Sequence, residues 1–414
     1  MVIAILLAAS AASAQTAGEA ALEQLEARAG AFAAAPAAPA ADWQGYRERM
    51  IAQVGAQDAG LNEVRFLVDG AAAKALEDAV AAARESVDIE VFQWQADADG
   101  AAFGDALIAK AKAGVRARVV VDGYGTDPDD PAVAALISKM RSGGVRVRVR
   151  AAPLFDGHLD HRKVVVVDGR TALTGGMNIG GRYQSSWHDQ LGEIRGPAVS
   201  DLESAFQSQW RAAGGASPAS SAAAPAASGG VETLVVTHEG GGHDADIKTA
   251  YLAAFAAARS RILVADPYMT DSGVMKALEA AARRGVRVQV VLPRQNDQGE
   301  VLAAERAYYP DLIAAGVEVY EYLPRMAHDK VAVVDGFWTT FGSSNLDARS
   351  LSDNDELNVI VLDADFAAGV EKTLFAPDLA ASARISSYSP SLVQDGARAV
   401  SWLFSKKTAS PQRP

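Results

Sequence analysis

Cysteine is absent from the sequence, which excludes a disulfide framework, a thiolate nucleophile and any cysteine-based zinc site. Histidine is scarce, with 6 among 414 residues, so chemistry that needs imidazole has few positions to draw on. Basic charge is outweighed. The 39 Lys and Arg against 51 Asp and Glu give a formal net charge of −12, the reverse of the footprint of a protein that grips a polyanion along many phosphates. No nucleic-acid partner is expected. Nor is there a hydrophobic run long enough to cross a bilayer. The apolar stretch Val2 to Ala9 stops short and is followed by Ala12-Ser13-Ala14 before Gln15. That pattern reads as a signal peptide over residues 1–14, with an exported, periplasmic protein peripheral on the membrane as the expectation.

What is present is ample for folding: 49% hydrophobic and 22% charged residues over a length suited to two domains. An Ala-rich tether and helix occupy 15–60, with Pro36 and Pro39 early in the stretch. A run of Ala, Gly, Ser and Pro over 212–230 forms a linker between domains at 61–211 and 231–380, and 381–414 reads as a tail. Within the tail, Ala399 to Lys407 suits either a membrane surface or a helix docked on the second domain. Each domain alternates helical and strand patterns. Ala71 to Ser86 leads to the strand Val87 to Phe92, and Ile247 to Ser260 leads to Ile262 to Ala265. A helix, a Gly-Val-Arg turn and another strand follow in both, with Gly114 and Gly285 as helix C-caps rather than phosphate-cradling glycines.

The two domains are copies. His161-Arg162-Lys163 and His328-Asp329-Lys330 are separated by 328 − 161 = 167, and the same offset carries Asp168 to Asp335, Gly175 to Gly342, Asn178 to Asn345, Arg182 to Arg349 and Asp189 to Glu356. So many polar and glycine matches over one short stretch indicate duplication.

The repeated unit carries chemistry. On an extended chain, residues two apart share a face, so His161 and Lys163 point the same way, as do His328 and Lys330. An imidazole beside an ammonium suits phosphate chemistry. The ring attacks phosphorus or protonates a leaving oxygen, and the cation holds the non-bridging oxygens. Asp168 and Asp335 complete the motif and belong to the candidate catalytic set, although their odd spacing, seven residues beyond each histidine, favours a structural part. Asp189 and Glu356, 28 residues beyond their histidines, keep acidic character in both copies and are the better acids to orient an imidazole.

These strings resemble the phospholipase D superfamily, and within it the bacterial cardiolipin synthases with two such motifs. His161-Arg162-Lys163 through Asp168-Gly169, then Gly175-Gly176-Met177-Asn178, Trp187-His188-Asp189 and Gly196-Pro197, carry the likeness in the first copy. Gly342-Ser343-Ser344-Asn345, Arg349-Ser350 and Asn354, Glu356 and Asn358 carry it in the second. The resemblance implies an α/β fold of two tandem phospholipase D-like domains, each a mixed sheet flanked by helices, joined as an intrachain pseudo-dimer in a monomeric chain. It implies one active site where the motifs meet, with no cofactor and no metal. His161 would form a phosphohistidine and His328 would be the general acid and then base. Lys163, Lys330, Asn178, Asn345 and Ser343 would hold the phosphoryl oxygens. The implied partners are a phospholipid, phosphatidylglycerol foremost, and a membrane surface. The implied activity is phosphatidyl transfer to an alcohol, with phospholipid hydrolysis or nucleic-acid phosphodiester cleavage as alternatives.

Other histidines receive plainer readings. His158 reads as a polar loop residue, and His188, His238 and His243 as surface or locally bonded groups. Arg182 and Arg349 divide evenly between function and structural ion pairing.

Overall fold

The structure, a computed structural model, describes residues 42–151, 158–216, 230–240 and 246–407, with side chains described as far as residue 400. The expected signal peptide, the tether to residue 41, His243 and linker residues 217–229 lie outside these.

Seven strands form the first half: β1 (Gln57–Val68), β2 (Ser86–Val91), β3 (Arg116–Asp122), β4 (Arg146–Arg150), β5 (Lys163–Val167), β6 (Thr171–Gly175) and β7 (Gln190–Arg195). The second half repeats them as β8 (Val231–His238), β9 (Arg261–Ala265), β10 (Arg287–Pro293), β11 (Glu318–Tyr322), β12 (Val331–Val334), β13 (Trp338–Gly342) and β14 (Glu356–Leu362), and adds β15 (Ser382–Ile385). All belong to one sheet in the order β15-β11-β10-β9-β12-β13-β14-β8-β1-β7-β6-β5-β2-β3-β4. Read outward from the β1–β8 seam, the two halves have the same strand order, a pseudo-twofold relation in which most neighbours are antiparallel. The mixed α/β architecture expected from the repeat is what the chain adopts.

Strand alternation places the cores. In β5, Val164 and Val166 turn to the central cluster shared by both halves, while Val165 and Val167 turn to the helices of the first half. In β12, Val331 and Val333 turn to that central cluster, and Ala332 and Val334 to the second half's own core. Because both faces are covered, these strands read as unbroken apolar runs. The helix Ala198–Ala212 and the segment Ala364–Phe375 both insert into the central cluster, one from each half.

Three findings refine the expected domain layout. β1 begins at Gln57, within the stretch read as tether, and bridges both halves: Gln57 to Asn62 pair with β8 and Glu63 to Val68 with β7, with a register shift at left-handed Gly60. The preceding helix, Trp43–Val54, packs on the second half, where Tyr46 donates to the Ala250 carbonyl at 3.1 Å. The tail is also built into the fold. β15 pairs with β11, and the helix Leu392–Lys407 lies along the helix Gly299–Arg306. Arg398 fastens it, donating to the Ala307 carbonyl at 3.0 Å and to Asp311 at 2.6 Å. Among the described residues no helix is long and apolar enough to cross a membrane.

The halves interlock where the ring of Phe341, on β13, lies over Gly192, on β7. A Cβ at Gly192 would stand 2.2 Å from that ring. Gly192→Ala is therefore expected to lower stability by about 1–3 kcal/mol through overpacking, read as a lower urea midpoint with unchanged slope. Phe341→Leu in the same chain should recover part of the loss.

Candidate active site

Each motif histidine is delivered by a short backbone exchange with the other half. His161 N–H donates to the Asp355 carbonyl at 3.0 Å and Asp355 N–H to the Leu159 carbonyl at 2.7 Å. In the other arm, His328 N–H donates to the His188 carbonyl at 2.7 Å and His188 N–H to the Met326 carbonyl at 2.8 Å. The residue after each of these partners is an orienting acid. The side chains therefore cross: His161 Nδ1 bonds Glu356 Oε1 at 2.8 Å, and His328 Nδ1 bonds Asp189 Oδ2 at 2.7 Å. The sequence spacing suggests an acid for each histidine in its own half. The fold instead gives each histidine the acid of the opposite half, because the strands carrying the acids, β7 and β14, flank the seam.

Nδ1 being engaged, Nε2 is left for chemistry on both rings. The two histidines line one cavity of about 770 Å³, with Phe92, Asn178, Tyr183, Tyr268 and Asn345 among its other walls. Phe92 meets His161 edge-on at 4.9 Å between ring centres, and Trp187 and Tyr183 flank His328 at 5.0 and 5.5 Å. Arg182 and Arg349 also line the cavity, so both matched arginines belong to its wall.

The lysines are buried beside the histidines. Lys163 Nζ donates to the His161 carbonyl and lies 5.4 Å from the Phe92 ring centre, and Lys330 Nζ donates to the His328 carbonyl at 2.5 Å. Asn178 Oδ1 accepts from Gln93 N–H at 3.0 Å, which fixes the amide at the cavity wall. Asn345 Nδ2 donates to Ser350 Oγ at 3.3 Å, while its Oδ1 finds no partner among the described residues.

Three sequence readings are corrected here. Asp168 and Asp335 are not in the site. β5 and β12 end just before them, each takes a left-handed backbone (φ 54° and 53°), and their carboxylates accept backbone N–H groups at the starts of β2 and β9. Ser343 does not present its hydroxyl to the cavity. It donates to Glu356 Oε2. His188 is no surface group. It is buried, its Nδ1 3.0 Å from Asp69 and its Nε2 3.1 Å from Asp378 and 3.6 Å from Asp329. Among the described residues, His188, Asp329 and Asp378 are the set whose ligand-type atoms lie within 4.8 Å of one another. Although burial opposes it, these carboxylates push His188 up to about 12, so the ring holds a proton that a metal would have to displace. The signal for His188 lay in plain sight at the 167 offset, which matches it with Asp355.

The two crossed pairs differ electrostatically. Burial pushes Asp189 up to about 7. Burial pushes Glu356 up as well, but the His161 ring, Lys163 and the Ser343 hydroxyl outweigh it and hold the carboxyl below its usual range. Burial and the neighbouring lysines hold both imidazoles below the ordinary histidine value, His328 well below it. Ser343 has glycine as its counterpart, Gly176, whose Cβ would stand 2.3 Å from Asp189 Oδ1.

Asp189→Asn and Glu356→Gln are expected to lower turnover by at least about 100-fold in folded protein, since each removes the carboxyl that orients an imidazole and exchanges or balances its proton. Asp168→Asn should leave turnover near wild type and cost about 1–2 kcal/mol of stability by weakening the backbone N–H cradle. Gly176→Ala should resemble Asp189→Asn, with a KM close to wild type. Steady-state kinetics and thermal melts on the four variants check this.

Known proteins are similar to this chain in sequence and in fold. The family described as "Cardiolipin synthase, PLD-like domain" matches residues 76–210 and 251–376. Cardiolipin synthase B of Escherichia coli strain K12 is 34% identical over 312 residues, 70% of this chain and 73% of its own length. Cardiolipin synthase A of Pseudomonas aeruginosa strain UCBPP-PA14 is 33% identical over 331 residues, 76% of this chain and 66% of its own. Among solved structures, phosphatidylserine synthase of Haemophilus influenzae Rd KW20 shares the fold with TM-score 0.64 at 14% identity, covering 87% of this chain and 98% of its own. The duplicated histidine-lysine motif, the crossed acids and these matches together place the chain in the cardiolipin synthase family of phospholipase D-like proteins.

Proposed function

We propose that the protein is a phosphatidyltransferase of the cardiolipin synthase kind, and the observation that carries the reading is the pair of crossed imidazole-carboxylate bonds facing one cavity. His161, set against an ionised Glu356, is the nucleophile. Its Nε2 attacks phosphorus, the bond to the departing alcohol breaks, and that oxygen takes the proton of His328 Nε2 while the Asp189 carboxyl, raised by burial to about 7, gives its own to Nδ1. An incoming hydroxyl then yields a proton to His328 and attacks phosphorus, breaking the P–N bond and restoring His161. The Asp189–His328 pair suits proton shuttling because burial brings the carboxyl close to neutral pH. Lys163, Lys330, Asn178 and Asn345 stabilise the phosphoryl oxygens, which requires the lysines to swing from their carbonyl contacts.

Phospholipid as substrate accords with the relatives and with apolar side chains at the cavity mouth, where Tyr124 is 68% exposed and Val400 51%. Phosphatidylglycerol is the proposed donor and acceptor, used by an exported monomer working on a membrane surface. Water as acceptor would make the same steps a phospholipase D reaction. Exposed Asp297 and Glu300 on the rim disfavour a nucleic-acid strand.

Incubation with phosphatidylglycerol vesicles should release glycerol and form a product with two phosphatidyl groups. Phosphatidic acid alone would instead establish hydrolysis, and cleavage of single-stranded DNA without lipid turnover would sink the proposal. Rapid quenching with phosphorus-labelled lipid should place label on His161. His161→Ala should abolish both labelling and turnover, whereas label on His328 would reverse the roles.

The pH profile supplies a second check. Burial and Lys330 bring Lys163 down to about 7, so its positive charge is present below that pH and lost above it. kcat/KM should fall as pH rises through about 7, and Lys163→Arg should move this alkaline limb upward. Since His161 is held below the ordinary histidine value, it is neutral well into mild acid, and the acid limb should lie below the ordinary imidazole range.

A further inference from the structure

Flanking the crossed pairs is a second pair of cross-half contacts whose charges are inverted between the copies. The residue after each motif histidine is Arg162 in the first copy and Asp329 in the second. The residue before each orienting acid is His188 in the first and Asp355 in the second. The pseudo-twofold sets Arg162 against Asp355 and Asp329 against His188, at 4.0 and 3.6 Å. All four side chains are buried.

The surroundings reinforce the inversion. Asp355, from the second half, is held by first-half groups: His158 at 2.8 Å, Arg150 at 3.0 Å and Gln209 at 2.7 Å. His188, from the first half, meets Asp329 and Asp378 of the second, together with Asp69 of its own half, which Arg325 also contacts. Arg162 is further balanced by Glu90 at 2.8 Å and Asp160 at 3.4 Å, both from its own half. At positions 162 and 188 the first half thus sets basic side chains across the seam, and at 329 and 355 the second half sets acidic ones, whereas Asp69 with Arg325 and Asp189 with His328 run the other way.

We propose that Arg162, His188, Asp329 and Asp355 are positioning residues that specify the union of unlike halves, so that each orienting acid reaches the histidine of the other kind of half. Two first halves from separate copies would bring Arg162 against His188, and two second halves would bring Asp329 against Asp355. The first would bury two basic groups against each other and the second two carboxyl groups, of which Asp329 is already held well above the usual carboxylate range by burial, and neither meeting offers the complementary partner of the native contact. Packing carries the same message independently. The ring of Phe341, in the second half, fits over Gly192, in the first. In a union of two second halves the counterpart of Gly192 at the 167 offset, Val359, would take the place of that glycine beneath Phe341. The inference concerns assembly of the site and stands whether the acceptor is an alcohol or water.

The test inverts one contact in the full chain. Arg162→Asp alone and Asp355→Arg alone should each lower kcat by at least about tenfold, because a buried charge meets its like. Asp at 162 would still meet Glu90 and Asp160, and Arg at 355 would still meet Arg150 and His158, so the double variant R162D/D355R should recover kcat in part, to at least about threefold above either single, when refolded dilute. It should also gain a new property. Its first half now carries Asp at 162 with His188, and its second half carries Asp329 with Arg at 355, so each half is self-complementary. With Phe341→Leu added to relieve the packing against Val359, it should form dimers when refolded at high concentration, seen by light scattering after size exclusion, where wild type stays monomeric. The inversion H188D/D329H tests the other contact, and since Asp at 188 would face Asp69 and Asp378 it too should exceed its singles only in part. Dimers formed equally by wild type, a double variant no better than its singles, or failure of both double variants to fold would overturn the proposal, since local packing rather than polarity would then set the pairing.

Discussion

The hydrogen bond from each imidazole Nδ1 to a carboxylate of the opposite half is the constraint on which the rest of the structure depends. It needs Asp189 to lie beside His328 and Glu356 beside His161, and neither half can supply that alone. The continuous sheet satisfies the requirement. β1 pairs with β8 across the seam, β7 and β14 lie next to them, and the acids at the starts of those strands face inward at one end. The helices Ala198–Ala212 and Ala364–Val370 fill the central core beneath the seam. A catalytic site at such a junction is rigid on both sides, which holds the geometry of two proton-carrying groups better than mobile loops would.

Duplication gives a symmetric frame, whereas a two-step displacement needs unequal partners. The structure breaks the symmetry with few atoms. Ser343 donates to Glu356, while the equivalent Gly176 leaves Asp189 the backbone N–H of Gln190 and no hydroxyl. One carboxyl is therefore held ionised and the other is drawn towards neutrality by burial. The aromatic surroundings differ as well, with Phe92 against His161 and a cluster of Tyr183, Trp187 and Tyr268 around His328. The charge inversion at positions 162, 188, 329 and 355 applies the same principle to the interface: identical folds are made complementary by opposite side chains.

Much was legible in the sequence, because it was written in local patterns and repeated. The β5 valines, the Ala-rich helices and the glycines at 114 and 285, both left-handed in the fold, follow from periodicity and backbone sterics. The fixed offset of 167 identified both histidines, both lysines and both acids as corresponding sets. Local spacing also separated Asp168 and Asp335 from the acids of the site, although the physical reason proved to be a left-handed turn capping the next strand rather than strand parity alone.

What the sequence could not decide is which residue meets which across the seam. A spacing of 28 residues suggests an acid serving its own half, and only the pairing of β1 with β8 exchanges the acids. His188 looked like an isolated polar residue because its partners, Asp69, Asp329 and Asp378, are scattered along the chain. The helix Trp43–Val54 looked peripheral because its apolar contacts lie far away in sequence, on the second half, and of the two readings open for the tail helix the docked one is found, held by Arg398. Side-chain type and local period are properties of neighbours along the chain. Complementarity between two halves belongs to the surfaces they bring together, and it becomes definite only when both are folded.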